Sequence, residues 1–228
     1  VQFLRAQRME SIGILAGGIA HDLNNVLSPI LMSVEILKKK LGDDLGRKVL
    51  GAVEASAKRG ADMVKQVLTF ARGIDGQRVE IQIRHVVSEV FQIAKETFPK
   101  SIDLRTDLPR ELWQILGDTT QLHQVILNLI VNARDAMPKG GALIISAEHT
   151  ILDESFAKLN PESKAGPYVL VSVSDAGIGI SQSDQDKIFE PFFTTKEVGK
   201  GTGLGLSTAL GIVKSHGGFI KVESNIGK

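Results

Sequence analysis

The sequence predicts an α + α/β protein: an antiparallel helical hairpin followed by a two-layer α/β sandwich. Three observations carry this reading. Apolar residues recur at helical spacing from residue 8 to about residue 72, with one turn between two runs. The turn-forming string Gly73-Ile74-Asp75-Gly76 then ends that periodicity. Beyond it, short alternating segments are interleaved with apolar helical ones, as expected for helices laid on one face of a sheet. The expected domains are therefore 1–73 and 77–228.

In the first helix, Leu15, Ile19, Val26, Ile30, Val34, Leu37 and Leu41 form a heptad-like stripe. Leu41-Gly42-Asp43-Asp44-Leu45-Gly46 reads as the turn, with Asp43 or Asp44 as a helix cap. The second helix repeats Val49, Val53, Ser56, Gly60, Met63, Val67 and Phe70 at intervals of four and three. Two helices of this length cannot bury both stripes alone. Two copies forming a four-helix bundle would.

After the boundary, Arg78 to Ile81 reads as a strand, and Ile83 to Phe98 as a helix ended by Pro99. Strands follow at Ile102 to Leu108 and Trp113 to Leu116. Asp118 caps an apolar helix that runs to Met137 and is closed by Pro138-Lys139-Gly140-Gly141. Ala142 to Thr150 and Tyr168 to Asp175 alternate as strands, with a polar surface insertion from Leu152 to Gly166 between them. The run from Gly201 passes from glycines into a helix, and Phe219 to Ser224 is the last expected strand.

Composition sets wide limits. Of 228 residues, 43% are hydrophobic and 23% charged, enough apolar material for a substantial core. A net charge of +1 argues neither for nor against nucleic acid. With 0 Cys, disulfides and thiolate metal sites are excluded. No run approaches the roughly 18–20 apolar residues of a membrane span, and no signal peptide is visible. The chain starts at Val1 and stops at Lys228 just after an expected strand, so it reads as a piece of something longer.

Five constellations carry chemistry. Glycines in Gly201-Thr202-Gly203-Leu204-Gly205-Leu206 let an anion approach backbone N–H groups at the start of a helix. Asp175-Ala176-Gly177-Ile178-Gly179 ends a buried strand with an acid able to accept from a base edge; alone, it is equally a plain exit turn. Asn128 and Asn132, four apart in the run ending at Asp135, share one helix face. Hydrated Mg²⁺ and phosphate oxygens would satisfy such amides, as would neighbouring loops. Phe192, Phe193 and Lys196, between Glu190-Pro191 and the glycines, suit a mobile lid or a plug beneath a loop. Finally, His21 lies two positions past Ile19, roughly 200° around a helix and off the apolar seam. Asp22 is adjacent and Asn25 lies one turn on. A neutral imidazole is a nucleophile, and a neighbouring carboxylate would raise its basicity. Taken alone, His21 is also an ordinary surface histidine.

In this order, the five boxes resemble the sensor histidine kinases of two-component systems over nearly the whole chain. Residues 8–72 resemble the dimerization and histidine-phosphotransfer hairpin. Residues 78–228 resemble the Bergerat-type ATP-binding domain shared with DNA gyrase. The resemblance implies that His21 accepts the phosphoryl group, Asp22 acts as its general base and Asn25 orients water for dephosphorylation. It implies that Asn128 and Asn132 face the nucleotide with Asp135, with Asn132 as the Mg²⁺ ligand. Asp175 would read adenine, with Gly177 and Gly179 forming its turn. Phe192 would belong to the lid, Lys196 would reach a phosphate, and Gly201, Thr202, Gly203, Leu204 and Gly205 would border the phosphates. The implied cofactors are ATP and Mg²⁺. The implied partners are a second copy, through the hairpin, and a response-regulator receiver domain; neither nucleic acid nor membrane contact is expected within this chain. A cytoplasmic location is implied, with a longer parent open to membrane anchoring.

Two departures stand out. Many family members carry Pro five residues after the His, where this chain has Val26; its proline is Pro29, so the helix bend should be shifted or absent. The HDLNN form resembles the nitrogen-regulation and hybrid-kinase branch. The chain also stops before the family's usual final strand, which implies lower stability or activity than its parent. Relatives that hydrolyse ATP carry a glutamate where Asn128 stands, and asparagine cannot take a proton at neutral pH. The implied activity is thus an ATP-dependent protein-histidine kinase. The alternatives are a Bergerat ATPase or anti-sigma-type serine kinase, a dimeric ATP-binding scaffold that never labels His21, and a phosphatase-dominant protein.

Overall fold

The computed structural model describes residues 27–38, positions 46, 48–51, 53, 54, 57 and 60, and residues 78–197 and 201–227. The chain divides into two compact units, Val1–Asp75 and Gly76–Lys228.

In the first unit, residues 27–38 form helix α1, Pro29 included, and the described positions between 46 and 60 are helical and belong to α2. The two run antiparallel. A Cβ added at Gly60 would meet Leu27 Cδ2 at 3.2 Å, while Lys38 is paired with Glu54 nearer the turn. Val34 and Ala57 are buried. Ile30, Met32, Ile36, Leu37, Val49 and Val53 remain exposed, so much of the predicted apolar stripe has no cover within one chain.

The second unit contains β1 (Val79–Ile81), α3 (Ile83–Thr97), β2 (Ile102–Asp107), β3 (Ile115–Gly117), α4 (Thr119–Ala136), β4 (Gly141–Leu152), α5 (Glu154–Leu159), β5 (Gly166–Asp175), α6 (Gln182–Gln185) and α7 (Gly205–Ser215). Two sheets form. One has the order β2-β4-β5, with β2 parallel to β4 and β4 antiparallel to β5. The other is a separate antiparallel ribbon, β1-β3. The amphipathic stripe of α3 (Ile83, Val86, Val87, Val90, Ala94) packs with Ile126, Ile130 and Ala133 of α4 over Leu143, Ile145 and Ala147 of β4. A second, smaller cluster joins Val125 of α4 to Ala209 and Ile212 of α7.

One expected element is corrected. Residues 219–224 alternate like a strand but form none among the described residues. A strand requires a ladder partner, and at the end of this segment Ser224 is engaged with residues of the 180–185 stretch instead. Ser224 Oγ accepts from Ile180 N–H at 2.9 Å, and the Ser224 carbonyl accepts from Gln185 Nε2 at 3.0 Å. Phe219 instead lies edge-on to Tyr168 and near Phe156. The predicted surface insertion contains the short helix α5, capped by Asp153, whose carboxylate accepts from Phe156 N–H at 2.7 Å.

Candidate nucleotide site

Helix α4 organises the site because its faces differ. Leu122, Ile126, Ile130 and Ala133 recur at four, four and three residues and point into the core. Asn128, Asn132 and Asp135 follow the same spacing two positions on, roughly 200° around the helix. They therefore look away from the sheet. They meet two parts of the chain, the start of α7 and Lys196.

Asn128 Nδ2 donates to the Gly205 carbonyl at 3.0 Å, which fixes the amide orientation. A Cβ at Gly205 would lie 3.8 Å from Asn128 Cγ and 3.8 Å from Asn132 Nδ2, so both amides stand against the first residue of α7. The first N–H groups of any α-helix lack intrahelical partners, and Leu204 at the N-cap supplies no side-chain cap. The helix dipole adds positive potential at that end.

Asp135 lies between two cations. Lys196 Nζ donates to its Oδ2 at 2.6 Å, and Arg134 Nε and a terminal guanidinium nitrogen donate to its Oδ1 at 2.9 and 2.7 Å. Partial burial pushes the Asp135 carboxyl up, but the hydrogen bonds and charges of Lys196 and Arg134 outweigh it and hold the group below the ordinary carboxylate range. Lys196 Nζ also lies 3.3 Å from Asn132 Oδ1. That oxygen therefore already faces a positive charge, which fits the expected Mg²⁺ ligand. Among the described residues no cluster of three or more His, Cys, Asp or Glu could hold a metal. An Mg²⁺ bound through one asparagine, water and phosphates suits such a site.

Asp175 reaches α4 through connectivity. A short turn leads from α4 into β4, and antiparallel β5 ends opposite that start, with Asp175 paired to Leu143. Ile178 N–H then donates to the Ala136 carbonyl at 3.0 Å, and Asp175 Oδ1 accepts from Gly177 N–H at 2.9 Å. A Cβ at Gly177 would lie 2.7 Å from Ala136 Cβ and 2.8 Å from its carbonyl oxygen, so a side chain there collides with the last turn of α4. A Cβ at Gly179 would lie 2.3 Å from the Asn225 carbonyl oxygen.

The expected lid is tied to the glycine run. Phe192 N–H donates to the Gly203 carbonyl at 3.0 Å. Phe192 is the one described non-glycine residue with positive φ, at 68°, and Gly203 adopts φ 66° against it. Such a backbone costs on the order of 1–3 kcal/mol and is found where the surroundings enforce it. Thr194 Oγ1 accepts from Lys196 N–H at 3.2 Å and would lie 2.7 Å from a Cβ at Gly201. Thr202 Oγ1 accepts from Leu204 N–H at 3.4 Å, and Leu204 is buried.

Asn128, Asn132, Asp135, Lys196 and Gly205 thus converge, with Asp175 and Gly177 at the C-terminal end of α4. His21, Asp22 and Asn25 lie outside the described residues. Sequence reasoning missed Arg134, whose guanidinium clamps Asp135 and also stacks 5.2 Å over the Phe98 ring. It also missed His216, which bonds the start of α4 from 98 positions away. The only local signal for His216 was its place between a helix end and Gly217-Gly218.

A helical hairpin followed by a helix-and-sheet unit in which two amides, a lysine and a helix N-terminus converge defines a two-module protein whose second module suits a bound phosphate. Comparison with known proteins makes this specific. Residues 11–76 match the family described as the His Kinase A (phospho-acceptor) domain. Residues 117–228 match the family of histidine kinase-, DNA gyrase B- and HSP90-like ATPases. The chain belongs to the sensor histidine kinases and contains both modules of their core. It is 41% identical over 233 residues to the sensor kinase CckA of Brucella abortus (strain 2308), covering 100% of this chain and 24% of that protein. The full-length ShkA structure with AMPPNP superposes with a TM-score of 0.76 at 23% identity, covering 94% of this chain and 43% of that one. The histidine kinase ThkA in complex with the response regulator TrrA gives a TM-score of 0.58 at 26% identity, covering 94% and 58%. The chain spans less than half the length of the curated relatives quoted, such as the Brucella kinase at 24%.

Proposed function

We propose that this chain is the catalytic core of an ATP-dependent protein-histidine kinase that autophosphorylates at His21 and passes the phosphoryl group to an aspartate of a response regulator. The observation that carries the reading is the bond from Asn128 to Gly205. It sets two amides against Gly205, where the nucleotide phosphates would meet the α7 N-terminus, while the Asp135 carboxylate one turn on is engaged by Lys196 and Arg134. Neither amide can deprotonate water. With hydrolysis unassisted, the terminal phosphoryl group is kept for an imidazole. Match to the phospho-acceptor family over residues 11–76, which include His21, supports that acceptor.

In this reading a ring nitrogen of His21 attacks the γ-phosphorus. The bond from γ-phosphorus to the β,γ-bridging oxygen breaks, and its electron pair leaves with ADP. The imidazole proton passes to Asp22. Asp175 accepts from the exocyclic amine of adenine, and the backbone of 201–205 cradles the phosphates. Asn132 would hold Mg²⁺, which neutralises phosphate charge, and Lys196 would move from Asp135 to a phosphate oxygen. Phosphoryl transfer of this type depends on positioning and charge neutralisation. Gly73–Gly76 is the proposed hinge that lets the two modules meet. The uncovered stripe on α1 and α2 supports a homodimer, and the complex formed by ThkA supports a receiver-domain partner.

Incubation with γ-labelled ATP and Mg²⁺ tests this. Protein-bound label that is acid-labile and base-stable, and that is lost in His21→Gln, is the expected result. Label that persists in His21→Gln contradicts it.

A further inference from the structure

Away from the cleft, one histidine is engaged through both ring nitrogens. His216 is the C-cap of α7. Its Nε2 accepts the backbone N–H of Asp118, the N-cap of α4, at 3.0 Å. Its Nδ1 lies 2.8 Å from the Ile212 carbonyl oxygen and 3.2 Å from Ser215 Oγ. A nitrogen that accepts from a peptide N–H carries no proton, so the ring proton sits on Nδ1 and is donated to Ile212. The ring is also packed in place, since a Cβ at Gly117 would lie 2.8 Å from His216 Cδ2. Beside it, Arg78 donates to the Ser215 carbonyl at 2.7 Å.

We propose that His216 is a positioning residue for the nucleotide site: by bonding the end of α7 to the start of α4, it sets the angle at which α7 presents Gly205 to Asn128 and Asn132. The inference rests on reading the α4–α7 cleft as the ATP site. Between these helices the contact is the small apolar cluster of Val125, Ala209 and Ile212. Apolar contact is non-directional and does not resist sliding or rotation as a hydrogen bond does. The directional ties are Asn128 to Gly205 at the start of α7 and His216 to Asp118 at its end. The helix has 11 residues. At ~1.5 Å per residue the two ties stand about 16 Å apart. Without His216 the end of α7 is still held by Arg78 at the Ser215 carbonyl and by Lys214 at Glu162, but neither tie reaches α4, so α7 can pivot relative to α4 at that end. The turn affected by pivoting is the one whose free N–H groups face the phosphates.

Calorimetric ATP affinity of the 228-residue chain with Mg²⁺ tests the assignment, with His216→Ala, His216→Gln and Gly117→Ala as variants. His216→Ala is expected to weaken ATP binding roughly three- to tenfold, the range set by one lost hydrogen bond. His216→Gln should restore most of the affinity, because its amide oxygen can accept from Asp118 N–H. Gly117→Ala keeps the imidazole but displaces it, and should weaken ATP binding as His216→Ala does. Ring ¹⁵N spectra of the wild type should show the proton on Nδ1. A His216→Ala chain that melts at a lower temperature yet binds ATP like the wild type overturns the assignment, since the residue would then serve only the fold. If His216→Ala does not fold, unchanged affinity in Gly117→Ala overturns it equally. A wild type that binds no ATP overturns the reading of the cleft itself, and this assignment with it.

Discussion

Asp135 lies between Arg134 and Lys196, and its ionisation gives Lys196 a charged partner on α4 beside the neutral Asn132 oxygen. Its carboxyl is held below the ordinary value of 3.8. A group depressed in the folded state stabilises fully above its unfolded value, and that contribution fades as pH falls through the folded one. The difference in thermal midpoint between wild type and Asp135→Asn should therefore stay constant from pH 7 to about 5. It should narrow only below 3.8. A difference already closing near pH 6 would mean that the ion pair is not what holds the carboxylate. The shared helix face of Asn128 and Asn132 was legible from their spacing of four. The partner of each was not. Lys196 is 61 positions from Asp135 and His216 is 98 from Asp118, and no local pattern encodes either distance.

Among the elements, those with strong periodicity matched expectation closely. The apolar repeats of α3 and α4 and the alternation of β4 and β5 each reflect burial against one neighbour. Weak or short signals misled. Helix α5 has only 6 residues, depends on its Asp153 cap and lies in a polar stretch. Residues 219–224 carry real alternation, but alternation cannot supply a ladder partner. The turn that follows β5 is joined closely to α4, where Gly177 stands against Ala136. Of the three atoms that would crowd a Cβ there, Asp175 Oδ1 at 2.6 Å is a side-chain end, but Ala136 Cβ and the Ala136 carbonyl oxygen belong to the last turn of a packed helix. Gly177→Ala should cost roughly 1–3 kcal/mol, as overpacking does. Urea unfolding of the two chains measures this, and an unchanged midpoint would show that the join can relax.

For the whole molecule, several apolar residues among the described positions of α1 and α2 stay exposed. Ile36 is 51% and Val53 41% exposed, on helices that already bury Val34 and Ala57. Exposed apolar stripes of this kind mark association surfaces. Sedimentation should show a homodimer for the wild type, and Ile36→Glu with Val53→Glu should shift it toward monomer. A monomeric wild type at tens of micromolar would contradict the four-helix bundle. The chain divides into Val1–Asp75 and Gly76–Lys228, at a point within the Gly73–Gly76 string where the apolar periodicity of the sequence ends.

The account turns on where the terminal phosphoryl group of ATP goes. The most direct measurement follows phosphohistidine and free inorganic phosphate together, by ³¹P spectroscopy and intact mass, as the chain turns over Mg²⁺-ATP. The prediction is one phosphoimidazole per chain, at His21, appearing before any comparable release of phosphate. Steady release of phosphate with no phosphoimidazole at any time would contradict it and mark the cleft as that of a hydrolase.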